Sequence, residues 1–342
     1  MVADTATANT DTRDTDIITT AAGVAVADTA VVVATKMKFA FIFAGQGSQK
    51  FGMGKEFYEN SKSAKELLER ASDECKIDFK HLLFEENEDL SKSEFTQPAI
   101  VLNSSMAYLF IKQESGIKAE FALGHSLGEF SALAVQGAFD YVKVLSLVNS
   151  RGKFMQEDCA TIPAGMMVVL GLDDSAVENI CKEAQNAGKQ IYAANYNCDG
   201  QIVVAGLKPH LSEVEGKFKS AGAKRAMLLD MSVASHCPLL KNASNKLESL
   251  LESALNENFG AVISNVSAKA YTSKAEALNL LKEQLIKPVL YKQSIANIQN
   301  SVDCFVEFGA SVLKGLNKKI TSKETYSISS LAEAQEFLKA IK

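Results

Sequence analysis

Ser126 lies at the centre of residues 124–129, Gly-His-Ser-Leu-Gly-Glu, a pattern that can make a serine hydroxyl nucleophilic. A short apolar run, 121–123, precedes it, and residues 127–136 are typical of a helix. The flanking glycines permit a sharp, strained turn between strand and helix, which lifts the hydroxyl above the end of a sheet. Amides at the start of that helix would then face an oxyanion. The alternative is a structural glycine-rich turn without catalysis, because short patterns of this kind occur by chance.

A serine nucleophile needs a neighbouring base, and histidine is the usual one near neutral pH. The chain has four histidines, His81, His125, His210 and His236. The first lies in a polar segment and the third near the start of a helix, so neither is expected to act. His125 is within the turn and is predicted to line the pocket. His236, on a loop of small residues, is the predicted base by elimination, and a histidine with packing duties only is the alternative.

No acidic residue between Ser126 and His236 stands out as the third member of a catalytic triad. A histidine oriented by a backbone carbonyl would need no acid. That arrangement would also suit a transferase, in which an acyl-enzyme must wait for a thiol. A serine hydrolase or thioesterase, with water as the acceptor, is the competing hypothesis.

Arg151 occupies an unusual position on a predicted helix over residues 140–157. It continues the apolar stripe of Val144, Val148 and Met155, whereas most arginines lie on the solvent side of a helix. A buried guanidinium needs an anion. The sequence leaves two interpretations open: a structural salt bridge or a side chain that reaches back to solvent, and a fork that holds a substrate carboxylate through two hydrogen bonds.

Strands and helices alternate along most of the chain, which predicts an α/β fold. The apolar run 38–44 is expected to be a strand covered on both faces, as in a parallel sheet. The Gly-Gln-Gly loop at 45–47 follows it, at the carboxyl end of the strand, where α/β folds bind their ligands. This loop lacks the lysine and hydroxyl residue of a phosphate-binding loop.

Residues 163–230 follow the order βαββαβ, which predicts a small ferredoxin-like α+β domain. It is expected to be inserted into a large hydrolase-like domain with a mostly parallel sheet and a nucleophile elbow, formed by residues 37–162 and 231–342. Residues 1–36, rich in Ala, Thr, Asp and Val, are expected to be a disordered leader or an added segment, with the natural start near Met37.

Composition excludes several classes of function. The net charge is −5 and no basic run with interleaved aromatic residues occurs, so no nucleic-acid binding is expected. No apolar run is long enough to span a bilayer, and no membrane association is expected. Six scattered cysteines without a C-x-x-C pair predict neither a metal site nor a disulfide framework. A reducing, cytoplasmic location is the simplest interpretation, and no cofactor is expected.

Taken together, the motifs resemble the malonyl-CoA:acyl carrier protein transacylases of bacterial fatty-acid synthesis and the acyltransferase domains of polyketide synthases. The resemblance covers residues 37–342. It depends on an ordered set of stretches: Phe-Ala-Gly-Gln-Gly-Ser-Gln at 43–49, Thr-Gln-Pro-Ala at 96–99, Gly-His-Ser-Leu-Gly-Glu at 124–129, Arg151-Gly152, Gly-Gln-Ile-Val-Val-Ala-Gly at 200–206, Ser-His at 235–236, Gln284 with Pro288-Val289, and Glu307-Phe-Gly with the run from Leu313. Ala44, Asp199 and Tyr291 depart from the family pattern, at positions outside the chemistry.

The resemblance implies a role for each matching position. Ser126 would be the nucleophile, acylated and deacylated in a ping-pong cycle, and His236 the general base and then acid. Backbone amides of Leu127 and Gln46 would form the oxyanion hole. The substrate-binding set would comprise Arg151, His125 and Gln284: the arginine would hold the malonyl carboxylate, and the main-chain carbonyl of the glutamine would orient the catalytic histidine.

The resemblance also implies the two substrates. Malonyl-CoA would donate the acyl group, and the phosphopantetheine thiol of acyl carrier protein would accept it. The carrier is strongly acidic, so docking would need a local basic face on this acidic chain. Lys314, Lys318 and Lys319 are the candidates for that face, and a merely solvated helix surface is the alternative. A carrier-binding module that has lost its activity is a further, non-enzymatic hypothesis.

Overall fold

The computed structural model describes residues 37–231 and 233–341. The leader predicted over residues 1–36 lies outside the described residues. Within the described part, no helix combines the length and the apolar character needed to cross a lipid bilayer.

The described residues contain ten strands and thirteen α-helices. The strands are β1 (Phe39–Phe43), β2 (Ala119–Gly124), β3 (Ala164–Leu170), β4 (Ile191–Cys198), β5 (Gln201–Leu207), β6 (Arg225–Leu228), β7 (Asn258–Ile263), β8 (Ala270–Ser273), β9 (Cys304–Phe308) and β10 (Thr325–Ile328). The helices are α1 (Lys55–Asn60), α2 (Lys62–Cys75), α3 (Phe79–Phe84), α4 (Ser93–Ser115), α5 (Gly128–Val135), α6 (Tyr141–Cys159), α7 (Asp174–Asn186), α8 (Lys208–Ser220), α9 (Lys241–Ala254), α10 (Lys274–Gln284), α11 (Tyr291–Ile298), α12 (Leu313–Asn317) and α13 (Leu331–Ala340).

The larger sheet has six strands in the order β10-β9-β1-β2-β7-β8, and all neighbours are parallel except β7 and β8. Strand β1 lies inside the sheet, and all five of its residues are buried. Its apolar character on both faces suits a strand that is covered on both sides. Phe43 at its end pairs with Gly124 at the end of β2. The loops that follow these two strands therefore leave the sheet side by side, and the predicted mostly parallel α/β sheet is confirmed.

The smaller sheet has four antiparallel strands in the order β4-β5-β3-β6, with α7 and α8 in the connections. This is the βαββαβ order of a ferredoxin-like α+β unit, as the sequence predicts. Its own core includes Met167, Val177 and Phe218. Backbone hydrogen bonds from Tyr196 and to Ala194 attach strand β4 to Val289 of the larger part. The division into domains at residues 163 and 230 stays a prediction.

Helices α4 and α6 pack closely and bring two polar side chains together. Fifteen of the 23 residues of α4 are buried, including Gln97 in its second turn. Gly152 on α6 permits the close approach, because a Cβ atom there would lie 2.5 Å from the carbonyl oxygen of Ser93. The adjacent Arg151 is therefore carried into the interior, beside Gln97.

Several elements were not predicted from sequence, notably the hairpin β7–β8 and helix α11. Strand β7 contains Gly260 and buries only its last two residues, so its sequence has no alternating pattern. Its conformation comes from pairing with β2, between Ala122 and Val262 and between Leu123 and Ile263. Pro238 begins a short 3₁₀ turn, and the α-helix α9 follows from Lys241.

A substitution at Gly128 tests the close packing of α5 against β1. A Cβ atom there would lie 2.0 Å from the carbonyl oxygen of Phe43. Gly128→Ala is therefore expected to lower the free energy of unfolding by roughly 1–3 kcal/mol. Thermal or denaturant unfolding followed by circular dichroism measures it.

The matched control is Gly216→Ala on the exposed face of α8, where an added Cβ meets nothing within 4 Å. Alanine favours a helix over glycine by about 1 kcal/mol, so this variant should be slightly more stable than the parent. Equal unfolding free energies for the two variants would contradict the packing assignment.

Candidate active site

Ser126 forms the turn between β2 and α5 with a left-handed backbone, φ 54°. Such a conformation is strained for a residue with a side chain and must be held by its surroundings. A Cβ atom on Gly124 would lie 1.9 Å from the carbonyl carbon of Gly128, so the turn depends on glycine. The Asn265 side chain closes it: its oxygen accepts from the Ser126 amide at 2.7 Å, and its amide donates to the Gly124 carbonyl at 2.6 Å. The predicted nucleophile elbow is present.

His236 lies within hydrogen-bond distance of the serine, with 2.8 Å between its Nε2 and Ser126 Oγ. Its Nδ1 lies 2.7 Å from the main-chain carbonyl oxygen of Gln284. Because a carbonyl can only accept, Nδ1 carries the proton and Nε2 is free to accept from the serine. The histidine is oriented by a carbonyl, without an acidic partner.

Burial, together with the nearby Arg151 charge, lowers the pKa of His236 to about 3. The imidazole is 2% exposed. It is therefore neutral at physiological pH and ready to take a proton from the serine.

Leu127 and Gln46 line the pocket beside the serine, and their backbone amides are the predicted oxyanion donors. Neither N–H has a hydrogen-bond acceptor among the described residues. Leu127 immediately precedes α5, so its amide has the orientation of a free helix N-terminus. The preceding loop passes close to the turn, because a Cβ atom on Gly45 would lie 2.4 Å from the His125 carbonyl oxygen. These amides form a candidate oxyanion hole.

Arg151 is 1% exposed, and none of its nitrogens forms an ion pair with a described carboxylate. Instead, Nη1 donates to Gln97 Oε1 at 2.9 Å, and Nη2 donates to Gln284 Oε1 at 3.1 Å and to Ser126 Oγ at 3.3 Å. The face of Phe130 lies 5.3 Å from the guanidinium carbon. The sequence left two interpretations of Arg151 open. The first, a structural salt bridge, is not found among the described residues. The charge is held by neutral groups and points toward Ser126 Oγ.

A buried carboxylate, that of Glu129, lies close to these contacts of Arg151. Glu129 is the second residue of α5 and is fully buried. It reaches Arg151 only through Gln284, whose Nε2 donates to Glu129 Oε2 at 2.7 Å. Burial raises the pKa of Glu129 to about 7, against the opposing effect of its hydrogen bonds. Burial lowers the pKa of Arg151 to about 10, so the guanidinium stays charged at neutral pH.

The pocket above Ser126 has a volume of about 160 Å³, and Met155, Met166 and Val203 supply apolar surface. At ~30 Å³ per water molecule, it holds roughly five waters or a short acyl group. His125 lies in the same pocket, and its Nε2 is 2.7 Å from Asn197 Oδ1. Burial lowers the pKa of His125, so this ring is a neutral hydrogen-bonding group.

The other histidines lie elsewhere. His81 on α3 contacts Glu85, the residue that follows this helix, and His210 on α8 accepts from the backbone amide of Gln190, just before β4. Among the described residues, no three or more His, Cys, Asp or Glu side chains are arranged to hold a metal ion.

Four residues of the site received no role in the sequence analysis: Gln97, Glu129, Asn197 and Asn265. Glu129 gave a signal, because it is an acid at the start of an otherwise apolar helix. Asn265 gave none, since it follows a strand that the sequence does not reveal. Gln97 stands in a stretch that carries the family resemblance and Asn197 shortly before another, but only the structure places Gln97 against Arg151 and Asn197 in the pocket.

A serine on a strained turn, a neutral histidine and two free amides are the parts that acyl transfer requires. The fold and the site thus define an acyltransferase of the α/β class. A family model described as acyl transferase domain matches residues 40–333.

Known relatives narrow this class. The chain is 40% identical to the malonyl CoA-acyl carrier protein transacylase of Bacillus subtilis over 84% of its length and 91% of the relative. The crystal structure of the corresponding Helicobacter pylori transacylase covers 90% of this chain and 99% of its own, with a TM-score of 0.86 and 45% identity. A malonyl-transacylase solved in complex with a type II polyketide synthase acyl-carrier protein has a TM-score of 0.85 at 33% identity, covering 89% of this chain and 99% of its own. The chain belongs to the malonyl CoA-acyl carrier protein transacylase family.

The low pKa of His236 predicts an unusual pH dependence. The base acts in its neutral form, so its rate is lost only as the pH falls through the pKa of the histidine. Acylation of Ser126 by 4-nitrophenyl acetate, an uncharged acyl donor, should keep its rate from about pH 7.5 to about pH 5. With the ordinary pKa of about 6.5, roughly nine-tenths of the base would be protonated at about pH 5.5.

Stopped-flow measurement of the nitrophenol burst gives this rate, and Ser126→Ala supplies the background. A roughly tenfold fall of the burst rate between about pH 7.5 and about pH 5.5 would show a histidine of ordinary basicity.

Proposed function

We propose that this protein transfers the malonyl group from malonyl-CoA to the phosphopantetheine thiol of acyl carrier protein, through a malonyl ester on Ser126. One observation carries the proposal. The buried guanidinium of Arg151 directs a donor at Ser126 Oγ and has no carboxylate partner among the described residues. An acyl group with a free carboxylate supplies the missing anion, and a malonyl group has one.

The printed names of the relatives support this choice of donor and acceptor. The Bacillus subtilis relative is named for both malonyl CoA and acyl carrier protein, and one solved relative is in complex with an acyl-carrier protein. The extender unit formed here would serve fatty-acid synthesis.

In the first half-reaction, Ser126 Oγ attacks the thioester carbonyl of malonyl-CoA while His236 Nε2 takes the hydroxyl proton. The amides of Leu127 and Gln46 stabilise the resulting oxyanion, and loss of one such donor typically costs about a hundredfold or more in rate. The tetrahedral intermediate then collapses, and the C–S bond breaks. His236 returns its proton to the departing CoA thiolate, which leaves a malonyl ester on Ser126.

In the second half-reaction, the carrier thiol gives its proton to His236 and attacks the ester carbonyl. The same amides hold the second oxyanion. The ester C–O bond breaks, Ser126 Oγ takes the proton from the histidine, and the malonyl thioester leaves on the carrier. Arg151 holds the carboxylate throughout, and His125 with Asn197 provides a neutral polar wall.

A cytoplasmic location is part of this proposal. All six cysteines are free, and five of them are buried. Thiols persist in this state in a reducing compartment.

The docking surface for the acidic carrier is proposed at α12 and the residues that follow it. Lys318 and Lys319 are exposed, and neither has a carboxylate within 4.0 Å among the described residues. Lys314 lies 3.5 Å from Glu324. Lys292, by contrast, forms ion pairs with Asp174 and Asp199. The two unpaired lysines are therefore the best source of local positive charge.

The malonyl-enzyme provides the test of the proposed function. Incubation of the parent protein with malonyl-CoA should give a malonyl adduct on Ser126, detected by mass spectrometry and discharged by carrier thiol faster than by water. Arg151→Ala should slow malonyl loading by roughly a hundredfold, because a charge-assisted bidentate contact is lost. Loading from acetyl-CoA, which lacks the carboxylate, should fall far less.

Ser126→Ala is the blank for adducts at other positions. An adduct that water discharges as fast as the carrier thiol would favour the hydrolase hypothesis. If Arg151→Ala still loads malonyl at the parent rate, Arg151 does not bind the malonyl carboxylate.

The docking surface has its own test. Lys318→Glu combined with Lys319→Glu should raise the KM for acyl carrier protein roughly tenfold at low salt, because the changed surface repels the acidic carrier. The KM for malonyl-CoA should stay unchanged. Steady-state transfer assays over a range of salt concentrations measure both constants.

Lys62→Glu combined with Lys65→Glu on the exposed face of α2 makes the same change of charge elsewhere. If the two double variants raise the KM for carrier equally, overall charge decides and the docking surface is misassigned.

A further inference from the structure

Glu129 is a buried carboxylate that the transfer steps above do not use. We propose that Glu129 is a positioning residue: its carboxylate fixes the side-chain amide of Gln284 so that the amide oxygen faces Arg151. In this way it sets the preference of the site for an acyl group with a carboxylate. The inference rests on the proposed function, since it concerns how the same site selects its acyl group.

The contacts of Glu129 are all with hydrogen-bond donors. Its Oε2 accepts from Gln284 Nε2 at 2.7 Å and from the backbone N–H of Asn265 at 3.2 Å, and its Oε1 accepts from the Tyr271 hydroxyl at 2.8 Å. The residue is 0% exposed. An ionised carboxylate offers acceptors only, so each neighbour must present a donor to it.

This requirement fixes which way the Gln284 amide points. Its nitrogen donates to Glu129 Oε2 and to the Ser126 carbonyl oxygen at 3.0 Å, so its oxygen is left for Arg151 Nη2 at 3.1 Å. The flipped amide would bring its NH₂ group against the guanidinium and its oxygen against the carboxylate. Both contacts would be repulsive, and burial would strengthen the repulsion.

Glutamine at position 129 would remove this control while keeping the shape of the side chain. A neutral amide can both donate and accept, so the flipped Gln284 would find a partner there. Arg151 would then lose one of its two amide oxygens and its fixed orientation. The orientation of His236 should change little, because it depends on the main-chain carbonyl of Gln284, the last residue of α10.

Protonation of Glu129 should have the same effect in the parent protein. Burial raises the pKa of this carboxyl to about 7. The titratable groups around it are Arg151 on α6, Tyr271 on β8 and His236 with His125 near the serine. Burial lowers the pKa of Arg151 to about 10 and that of His236 to about 3, lowers that of His125, and raises that of Tyr271. Between about pH 8 and about pH 6, Glu129 is therefore the acidic member of this group that changes charge.

The experiment compares the loading of Ser126 from malonyl-CoA and from acetyl-CoA, without carrier protein, by rapid quench and mass spectrometry. Glu129→Gln should lower the ratio of malonyl to acetyl loading rates by roughly tenfold, through a slower malonyl reaction. The matched control is Glu307→Gln. Glu307 is a buried carboxylate on β9, and it accepts from the backbone amides of Val312, Leu313 and Lys314, away from the pocket. The control should keep the parent ratio.

An unchanged ratio in folded Glu129→Gln, or an equal loss of both reactions, overturns the inference. If that variant does not fold, the pH dependence of the parent decides: the ratio should fall between about pH 8 and about pH 6 as Glu129 is protonated, and a constant ratio overturns the inference. Failure of the proposed function would look different, since the parent protein would then form no malonyl ester on Ser126 at any pH.

Discussion

A buried positive charge without a direct carboxylate partner determines how this site is built. Placing a guanidinium in a protein interior is costly unless polar groups surround it. Arg151 meets that requirement with two neutral amide oxygens and an aromatic face, and the nearest carboxylate stands one residue away, behind Gln284. A directly paired arginine would be satisfied already and would bind an incoming anion weakly. Held by neutral groups, the charge remains available to a substrate carboxylate.

The strained backbone at Ser126 depends on a second set of contacts. Glycines at 124 and 128 leave the space, and Asn265 ties the two sides of the turn together by its side chain. The backbone N–H of Asn265 also donates to Glu129 Oε2. The Glu129 carboxylate therefore contacts both Asn265, which holds the turn at Ser126, and Gln284, which contacts Arg151. The turn and the arginine thus belong to one buried hydrogen-bond network.

The sequence predicted the parts of the site that have local signals. The elbow has a spacing rule, His236 was one of four histidines, and Arg151 interrupts an apolar stripe at helical spacing. Gln284 came only from resemblance, because a main-chain carbonyl leaves no trace in residue type. Asn265 follows β7, a strand that exists through its pairing with β2. Glu129 was ambiguous, since an acid in a first helical turn is also explained by the helix dipole. What sequence missed is what tertiary contacts create.

The carbonyl-oriented histidine has a consequence for the choice of acceptor. A base whose pKa lies well below the ordinary value for histidine has little driving force to take a proton from water, which is a much weaker acid than a thiol. A thiol, with a pKa of about 8.5, is far easier to deprotonate, and the thiolate that results is a strong nucleophile. A carboxylate partner would raise the basicity of the imidazole and bring water into competition. The Ser126 hydroxyl is as weak an acid as water, but it lies 2.8 Å from the base. Its fixed position and the stabilisation of the oxyanion by backbone amides offset that weakness. The weak base thus favours transfer to a thiol over hydrolysis of the acyl-enzyme.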